Sequence, residues 1–358
     1  MRLFLCLPAL LPLFLSPVSA ANSFAGTNNY YIWALPDADR VAILDGMQAA
    51  GMKVLRTWVT GVAAGQKSTD APAVPDLEAN GLGNYDDTVL DMIDQLMVDA
   101  HARGIKLLIG QRPLPAAAPL TSSPGRHARQ CVLSVPRIHA RPAHRPPENA
   151  LQAGDIYGST FGDEGFYTNP TAINAFNQRI THILNVHKNA LLGNQPWSDL
   201  SAYIFGLEPE NEPMIFDQSF YLIRNNVGDR NQLIFTGGGS AGASVQPIFF
   251  SSSCPAIDVV AIHDYIDGYD AYMPAALSQA LAAGKKLLVE EWGSLAQKIA
   301  AYKVPWLYWE LISNADPHEG EDYEIQVGGT DWSTIEAAAQ SAGALTDAPF
   351  DFSASLAL

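Results

Sequence analysis

The sequence predicts an α/β fold of the (β/α)8 (TIM) barrel type, built as one catalytic domain over residues 21–358, and three observations carry that prediction. Short runs of β-branched and aromatic residues alternate with longer segments of helical period, as parallel βα units do. Eight such runs occur. The length also fits, since 358 residues less a 20-residue leader leaves a chain of the size one such barrel uses.

The leader is residues 1–20. Arg2 precedes an apolar run from Leu3 to Leu15, and Val18-Ser19-Ala20 closes it in the small-residue pattern of a signal peptide. That run is shorter than the roughly 20 residues that span a bilayer. A secreted, extracellular product beginning near Ala21 is expected.

The eight expected strands are Phe24 to Tyr31, Lys53 to Val59, Ile105 to Gly110, Ala202 to Leu207, Gln232 to Thr236, Val259 to Tyr265, Lys286 to Glu291 and Pro305 to Leu311. Between the second and third, Val89, Ile93, Leu96, Met97 and Ala100 recur at three and four residues, with Gly104 as a C-terminal stop. Asn169-Pro170 is a favourable cap and first-turn pair, and Ile173, Phe176, Ile180, Ile183 and Leu184 then repeat the amphipathic spacing. A last helix is expected from Trp332 to Ser341.

One stretch breaks the pattern. Gln111 to Pro147 holds eight prolines, six arginines and three of the chain's eight histidines, with no acidic residue. Elsewhere the chain is strongly acidic, and the net charge is −16. Two explanations stand beside each other: a basic loop that grips an acidic polymer, or a disordered insertion, including translated intron from a mispredicted gene model. Its histidines lack the spacing of a zinc site.

Charge and composition exclude several functions. A net charge of −16 disfavours nucleic acid and anionic membranes as partners, whereas neutral polymers are not repelled. Of the three cysteines, Cys6 lies in the leader, so only Cys131 and Cys254 remain to pair. Stability must come from a core rather than a disulfide framework. No metal or cofactor motif is present: Gly237-Gly238-Gly239 follows a strand but lacks the lysine of a phosphate loop and is expected to be a barrel-top turn. A monomer is expected.

In a barrel, chemistry sits at the C-terminal ends of the strands. Carboxylates there are the candidates. Cleavage of a glycoside with retention needs one carboxylic acid to protonate the leaving oxygen and one carboxylate to attack the anomeric carbon, roughly 5 Å apart. Glu291 ends the seventh strand, and Glu208, Glu210 and Glu212 compete just past the fourth. Strand parity alone faces all three the same way. Asn211 directly before Glu212 distinguishes that position, because its amide suits a sugar 2-hydroxyl.

Here the chain resembles glycoside hydrolase family 5, and within it the fungal and plant endo-β-1,4-mannanases. The resemblance is carried in order by Phe24-Ala-Gly-Thr-Asn-Asn29-Tyr30, Val54-Leu-Arg56-Thr-Trp58, Phe166-Tyr-Thr-Asn-Pro-Thr171, Asn211-Glu212-Pro213, His263-Asp-Tyr265, Glu290-Glu291-Trp292-Gly293 and Trp309-Glu310-Leu311. It implies Glu212 as acid/base and Glu291 as nucleophile. It further implies that Arg56 and Tyr265 hydrogen-bond Glu291 and keep it ionised, that His263 lies near Glu212, that Trp309 is the stacking floor for the sugar, and that Asn29 and Asn211 support the site. Glu208 and Glu210 are expected as supporting groups, and Glu310 stands where those mannanases commonly have Gln. Trp58, Trp292 and Trp306 remain open between core and sugar platform. The implied activity is a retaining endo-β-glycanase on a wall polysaccharide, with β-1,4-mannan leading and β-glucan, cellulose or galactan as alternatives. An exo-acting enzyme, or an inactive carbohydrate-binding barrel, is the further alternative. The pH optimum is expected on the mildly acidic side, since one carboxyl must be protonated while the other is not.

Overall fold

The computed structural model describes residues 21–111, 133–134, 156–213, 215–216, 219–227, 231–293, 296–314 and 323–358. The leader, most of the Pro/Arg-rich stretch and Cys131 lie outside the described residues.

All eight expected runs contain strands, and they form one parallel sheet. These are β1 (Ala25–Asn28), β2 (Val54–Trp58), β3 (Lys106–Gly110), β4 (Ile204–Glu208), β5 (Leu233–Ile234), β6 (Val259–His263), β7 (Lys286–Glu291) and β8 (Trp306–Tyr308). Their order is β5-β4-β3-β2-β1-β8-β7-β6, and a parallel bridge between Phe235 and Val259 joins the two edge strands. The sheet therefore closes on itself as a barrel.

Physical chemistry explains why these runs were visible. A parallel strand in a barrel is covered on both faces, so its sequence is a continuous apolar run. Leu107, Leu108 and Ile109 of β3 are each fully buried, as are Val259, Val260 and Ile262 of β6. Each such side chain contributes roughly 1.5–3 kcal/mol by leaving water.

Helices wrap the outside. Helix α1 (Asp37–Ala49) follows β1, with Asp37 and Asp39 in its first turn favouring the positive end of the helix dipole. Helix α2 (Thr88–His101) buries Val89, Ile93, Leu96, Met97 and Ala100, the expected stripe. After β3 come α3 (Ile156–Thr168) and α4 (Pro170–Thr181). The Asn169 side chain accepts the Thr171 N–H at 2.8 Å and so caps α4 as its sequence suggested. Helices α5 (Ser219–Asn226), α6 (Tyr269–Ala283), α7 (Ala296–Tyr302) and α8 (Trp332–Gly343) follow β4, β6, β7 and β8. Among the described residues, no helix is long and apolar enough to cross a membrane.

Three details differ from the sequence expectation. The first run leaves the sheet at Asn28, because Asn29 turns its amide to the Leu311 carbonyl and its oxygen to the Tyr31 N–H, starting a short 3-10 turn. The last run divides: Trp306–Tyr308 stays in the barrel, while Leu311–Ile312 pairs with Ile325–Gln326 in a separate ribbon. Within the Pro/Arg-rich stretch, Leu133–Ser134 pairs antiparallel with Ile215–Phe216. Cys254 is buried and disulfide-bonded.

Candidate active site

The C-terminal ends of the strands bring polar residues to one point. Asn28, Glu208, His263 and Glu291 are the last residues of β1, β4, β6 and β7, and Arg56 lies in β2. At the centre is Arg56, with no exposed surface. Its Nε donates to both oxygens of Glu208 at 3.1 and 3.2 Å, and one terminal nitrogen donates to Glu208 and to Asn211 Oδ1, each at 2.7 Å. The other terminal nitrogen donates to Glu291 and to Asn28 Oδ1. The guanidinium lies 4.2 Å from the centre of the Trp58 ring.

Two backbone irregularities assemble the rest. The register between β6 and β7 pairs Ile262 with Val289 and then His263 with Glu291, so Glu290 is skipped as a bulge. A bulge re-aims side chains that strict alternation would send to opposite faces. Both glutamates thereby reach the same cluster: Glu290 Oε2 meets His263 Nε2 at 3.0 Å and Arg56 at 3.4 Å, while Glu291 Oε2 accepts from the Tyr265 hydroxyl at 2.9 Å. Past β4, Glu212 adopts φ +44°, a left-handed conformation that side chains other than glycine seldom take. Its N–H donates to the Gly237 carbonyl at 2.7 Å, and its carboxylate meets His263 Nδ1 at 2.8 Å.

The glycine run fits against these residues. Gly237 and Gly238 both have φ of +77°. A Cβ at Gly237 would lie 1.8 Å from the Glu210 carbonyl oxygen, and one at Gly238 would lie 2.1 Å from the His263 ring. Only glycine lets this turn approach so closely.

The structure thus brings together Glu212, Glu291, Arg56, Asn211, His263 and Tyr265. Trp309 stands beside them, half-buried, its ring parallel to Tyr30 at 6.2 Å and edge-on to Trp58 at 5.9 Å. Asn29 is not part of the group: it is fully buried and holds the loop after β1, and its neighbour Asn28 is the residue that touches Arg56. The three glutamates after β4 separate, with Glu208 on Arg56, Glu210 accepting the Tyr167 hydroxyl at 2.9 Å, and Glu212 on His263. Trp58, Trp292 and Trp306 are each 2% exposed, which makes them core.

Glu208 holds Arg56 as a supporting group, in line with the expectation for it, whereas sequence reasoning did not foresee the roles of Glu290 and Asn28. The available signal was charge in the wrong place: Glu290 follows the apolar run Leu287-Leu288-Val289, and a buried carboxylate needs partners.

Burial opposes every charge in this cluster, and the partners decide each titration. Burial pushes Glu208 well above the usual carboxylate range, outweighing Arg56. It would also raise Glu290, but the Arg56 charge and the hydrogen bond from His263 lower it. Burial raises Glu291 in spite of His263 and Arg56. For Glu212 burial is less complete, since the side chain keeps 38% of its surface, and the bond and charge of His263 lower it. Burial would lower His263, yet the Glu291 charge and the bonds to Glu212 and Glu290 raise it to about 10. The resting directions for Glu212 and Glu291 are thus opposite to those a simple acid and nucleophile would have. Arg56 does pull Glu291 down as expected, but desolvation pulls harder.

One oxygen of Glu212, one of Glu291 and a ring nitrogen of His263 all lie within 4.8 Å of one another. Asp91, Asp94 and His187 on the flank form a second such group. In both, carboxylate oxygens lie within hydrogen-bond distance of the His ring nitrogens.

No protein-family model and no curated protein sequence matches the chain. Solved structures do match. The endo-1,4-β-mannanase of Rhizomucor miehei is similar at TM-score 0.56 and 18% identity, over 89% of this chain and 94% of that one. A family 5 mannosidase variant from the same organism gives TM-score 0.58 at 11% identity, over 90% and 94%. The hyperthermostable endo-1,4-β-D-mannanase of Thermotoga petrophila gives 0.54 at 16%, over 89% and 99%. The fold is that of glycoside hydrolase family 5 barrels. At such identities this likeness concerns the fold, and the site rests on its own geometry.

Proposed function

We propose that the protein is a secreted, retaining endo-β-glycanase, with Glu212 as acid/base, Glu291 as nucleophile and β-1,4-mannan as substrate. The observation that carries the reading is that Glu212 and Glu291, from opposite sides of the barrel mouth, bring one oxygen each to the same nitrogen, His263 Nδ1, at 2.8 and 3.3 Å, which sets the two carboxyls close together. Double displacement uses carboxyls about 5–5.5 Å apart, whereas inversion needs about 6.5–9.5 Å to admit a water.

The surrounding residues fit those roles. Arg56 and Tyr265 each hold one oxygen of Glu291 and so fix its plane for attack on the anomeric carbon. Arg56 also takes the Asn211 oxygen, which leaves the NH2 end of that amide for a sugar hydroxyl. Trp309 supplies a half-buried ring on which a sugar can stack. The mannan assignment draws on the sequence resemblance and on the mannanases of like fold.

A reducing-sugar assay on mannan, galactomannan, carboxymethyl-cellulose, laminarin and pustulan tests it. Hydrolysis of the mannans to oligosaccharides is expected; activity on glucans alone would sink the mannan assignment, monosaccharide as sole product would make the enzyme exo-acting, and binding without turnover would make it an inactive barrel. Secretion with a mature N-terminus near Ala21 is read from the mass of the exported protein.

A further inference from the structure

His263 is enclosed, with 1% of its surface exposed, and carboxylates meet both of its nitrogens. Nδ1 lies 2.8 Å from Glu212 and 3.3 Å from Glu291, and Nε2 lies 3.0 Å from Glu290. The other charged groups of the cluster are Glu208 at the end of β4 and Arg56 in β2, with the Tyr265 hydroxyl on Glu291. From the loop after β5 the Gly238 backbone lies close to the ring, and the neighbouring Asp264 carboxylate is turned to Ile266, Gly268 and Tyr272. An imidazole between two carboxylates can donate at both ends only as the imidazolium.

We propose that in the resting protein the proton destined for the leaving group is held on His263, and that Glu290 is the positioning residue that keeps it there. The proposal rests on the reading of Glu212 as acid/base. In the first half-reaction the Nδ1–H bond breaks as an O–H bond forms on Glu212. The carboxyl turns, its proton passes to the glycosidic oxygen, and the bond from that oxygen to the anomeric carbon breaks with the electron pair leaving on oxygen. A Glu291 oxygen forms the new bond to that carbon. His263 is then neutral, with Nε2–H still donated to Glu290. In the second half, water attacks the anomeric carbon, Glu291 departs as carboxylate, and the water proton returns through Glu212 to Nδ1. No co-reactant other than water is needed.

Charge times the transfer. While Glu291 is ionised it is one of three carboxylates favouring the imidazolium; as the ester it is neutral, and His263 loses that support when the proton is wanted. The arrangement also resolves the inverted directions at Glu212 and Glu291. An acid that carried its own proton at a lowered pKa would work only in acid. A proton on a histidine raised to about 10 is retained through neutrality. Glu290 cannot be exchanged for a neutral group without weakening that hold, because its carboxylate is the group that meets Nε2, at 3.0 Å.

The test has two arms on the whole secreted chain. In NMR of 15N-histidine-labelled protein, with His263 assigned by difference against His263→Gln, both ring nitrogens should carry protons at neutral pH, and Glu290→Gln should lower the titration midpoint by about one unit or more. On whichever glycan the panel selects, the basic limb of kcat/KM should move down by about the same amount in Glu290→Gln and stay in place in Glu290→Asp, which keeps the charge. A role confined to folding would change amplitude and not the limb. An active wild type whose His263 is neutral at neutral pH, or a folded Glu290→Gln with an unmoved limb, overturns the proton store alone. A wild type inactive on every glycan overturns the glycosidase reading, and with it the use of that proton.

Discussion

Two histidine–carboxylate networks lie in this molecule, one at the barrel mouth and one on its flank, and they differ in charge balance. On the flank, Asp94 accepts from Trp197 Nε1 at 2.7 Å and meets His187 Nε2 at 3.0 Å, while Asp87 meets His182 at 2.7 Å and His187 Nδ1 at 3.2 Å. Asp87 and Asp94 thus face two histidines with all four of their oxygens occupied, and the exposed Asp91 stands beside His187 as a third carboxylate. At the mouth, among the described residues, Glu208, Glu212, Glu290 and Glu291 crowd one arginine and one histidine, and Glu212 remains partly open to solvent. A network in which histidines and buried carboxylate oxygens are matched one to one clamps helices together. An overcharged one with an open edge has protons to move, which is what catalysis requires.

The comparison predicts opposite responses to neutralisation. Glu212→Gln should lower kcat by about 10²–10⁴-fold, and Glu291→Gln by at least as much, with neither losing stability. Glu291→Gln should raise the melting temperature if anything, because it removes a carboxylate whose charged form burial disfavours. Arg56→Met should act on stability instead, at about 3–5 kcal/mol in urea unfolding, since it strips counter-charge from buried carboxylates. A mild effect there would mean that the carboxylates are all protonated at rest.

Smaller effects separate the two asparagines and the flank. Asn211→Ala should depress kcat/KM with little change in melting, whereas Asn29→Ala should cost about 1–3 kcal/mol of stability and leave the pH profile as it was. Reversal of that pattern would return Asn29 to the site. On the flank, the bonds to Asp94 and Asp87 raise His187 above its ordinary value of 6.5, although burial acts against them. Its contribution to stability is therefore complete below 6.5 and lost as pH rises through the raised folded value. Unfolding curves over that window should lose this slope in His187→Gln. In His263→Gln the His187 part should survive, while the separate contribution of His263, lost between 6.5 and about 10 in the wild type, disappears; loss of the His187 part there as well would break the distinction between the two networks.

How much of this was legible depended on what the chain's physics writes locally. Barrel strands are buried on both faces, so β3 and β7 announce themselves as Lys-Leu-Leu-Ile-Gly and Lys-Leu-Leu-Val-Glu-Glu, and the α2 and α4 stripes follow the 3.6-residue period. Asn169-Pro170 capped α4 where its chemistry said it would. The pair Glu212 and Glu291 was reached through the adjoining Asn211 and the resemblance together, because spacing left Glu208, Glu210 and Glu212 equivalent. The left-handed turn at Glu212 and the bulge at Glu290, which give each of these carboxylates its partner, come from pairing with Gly237 and β6 far along the chain. Asn29 was misplaced for the same reason: one residue of strand length decides whether Asn28 or Asn29 faces Arg56.

The central claim is that Glu291 attacks the sugar while Glu212 handles the proton. It is tested most directly by incubating the protein with a fluorinated glycosyl fluoride of the sugar that the panel selects, a reagent that forms the glycosyl ester quickly and hydrolyses it slowly, and sequencing the modified peptide by mass spectrometry. One sugar per chain on Glu291, with none in Glu291→Gln, is the predicted result. Label on Glu290 or Glu208, or no adduct from a protein that hydrolyses the same sugar's polymer, would contradict it.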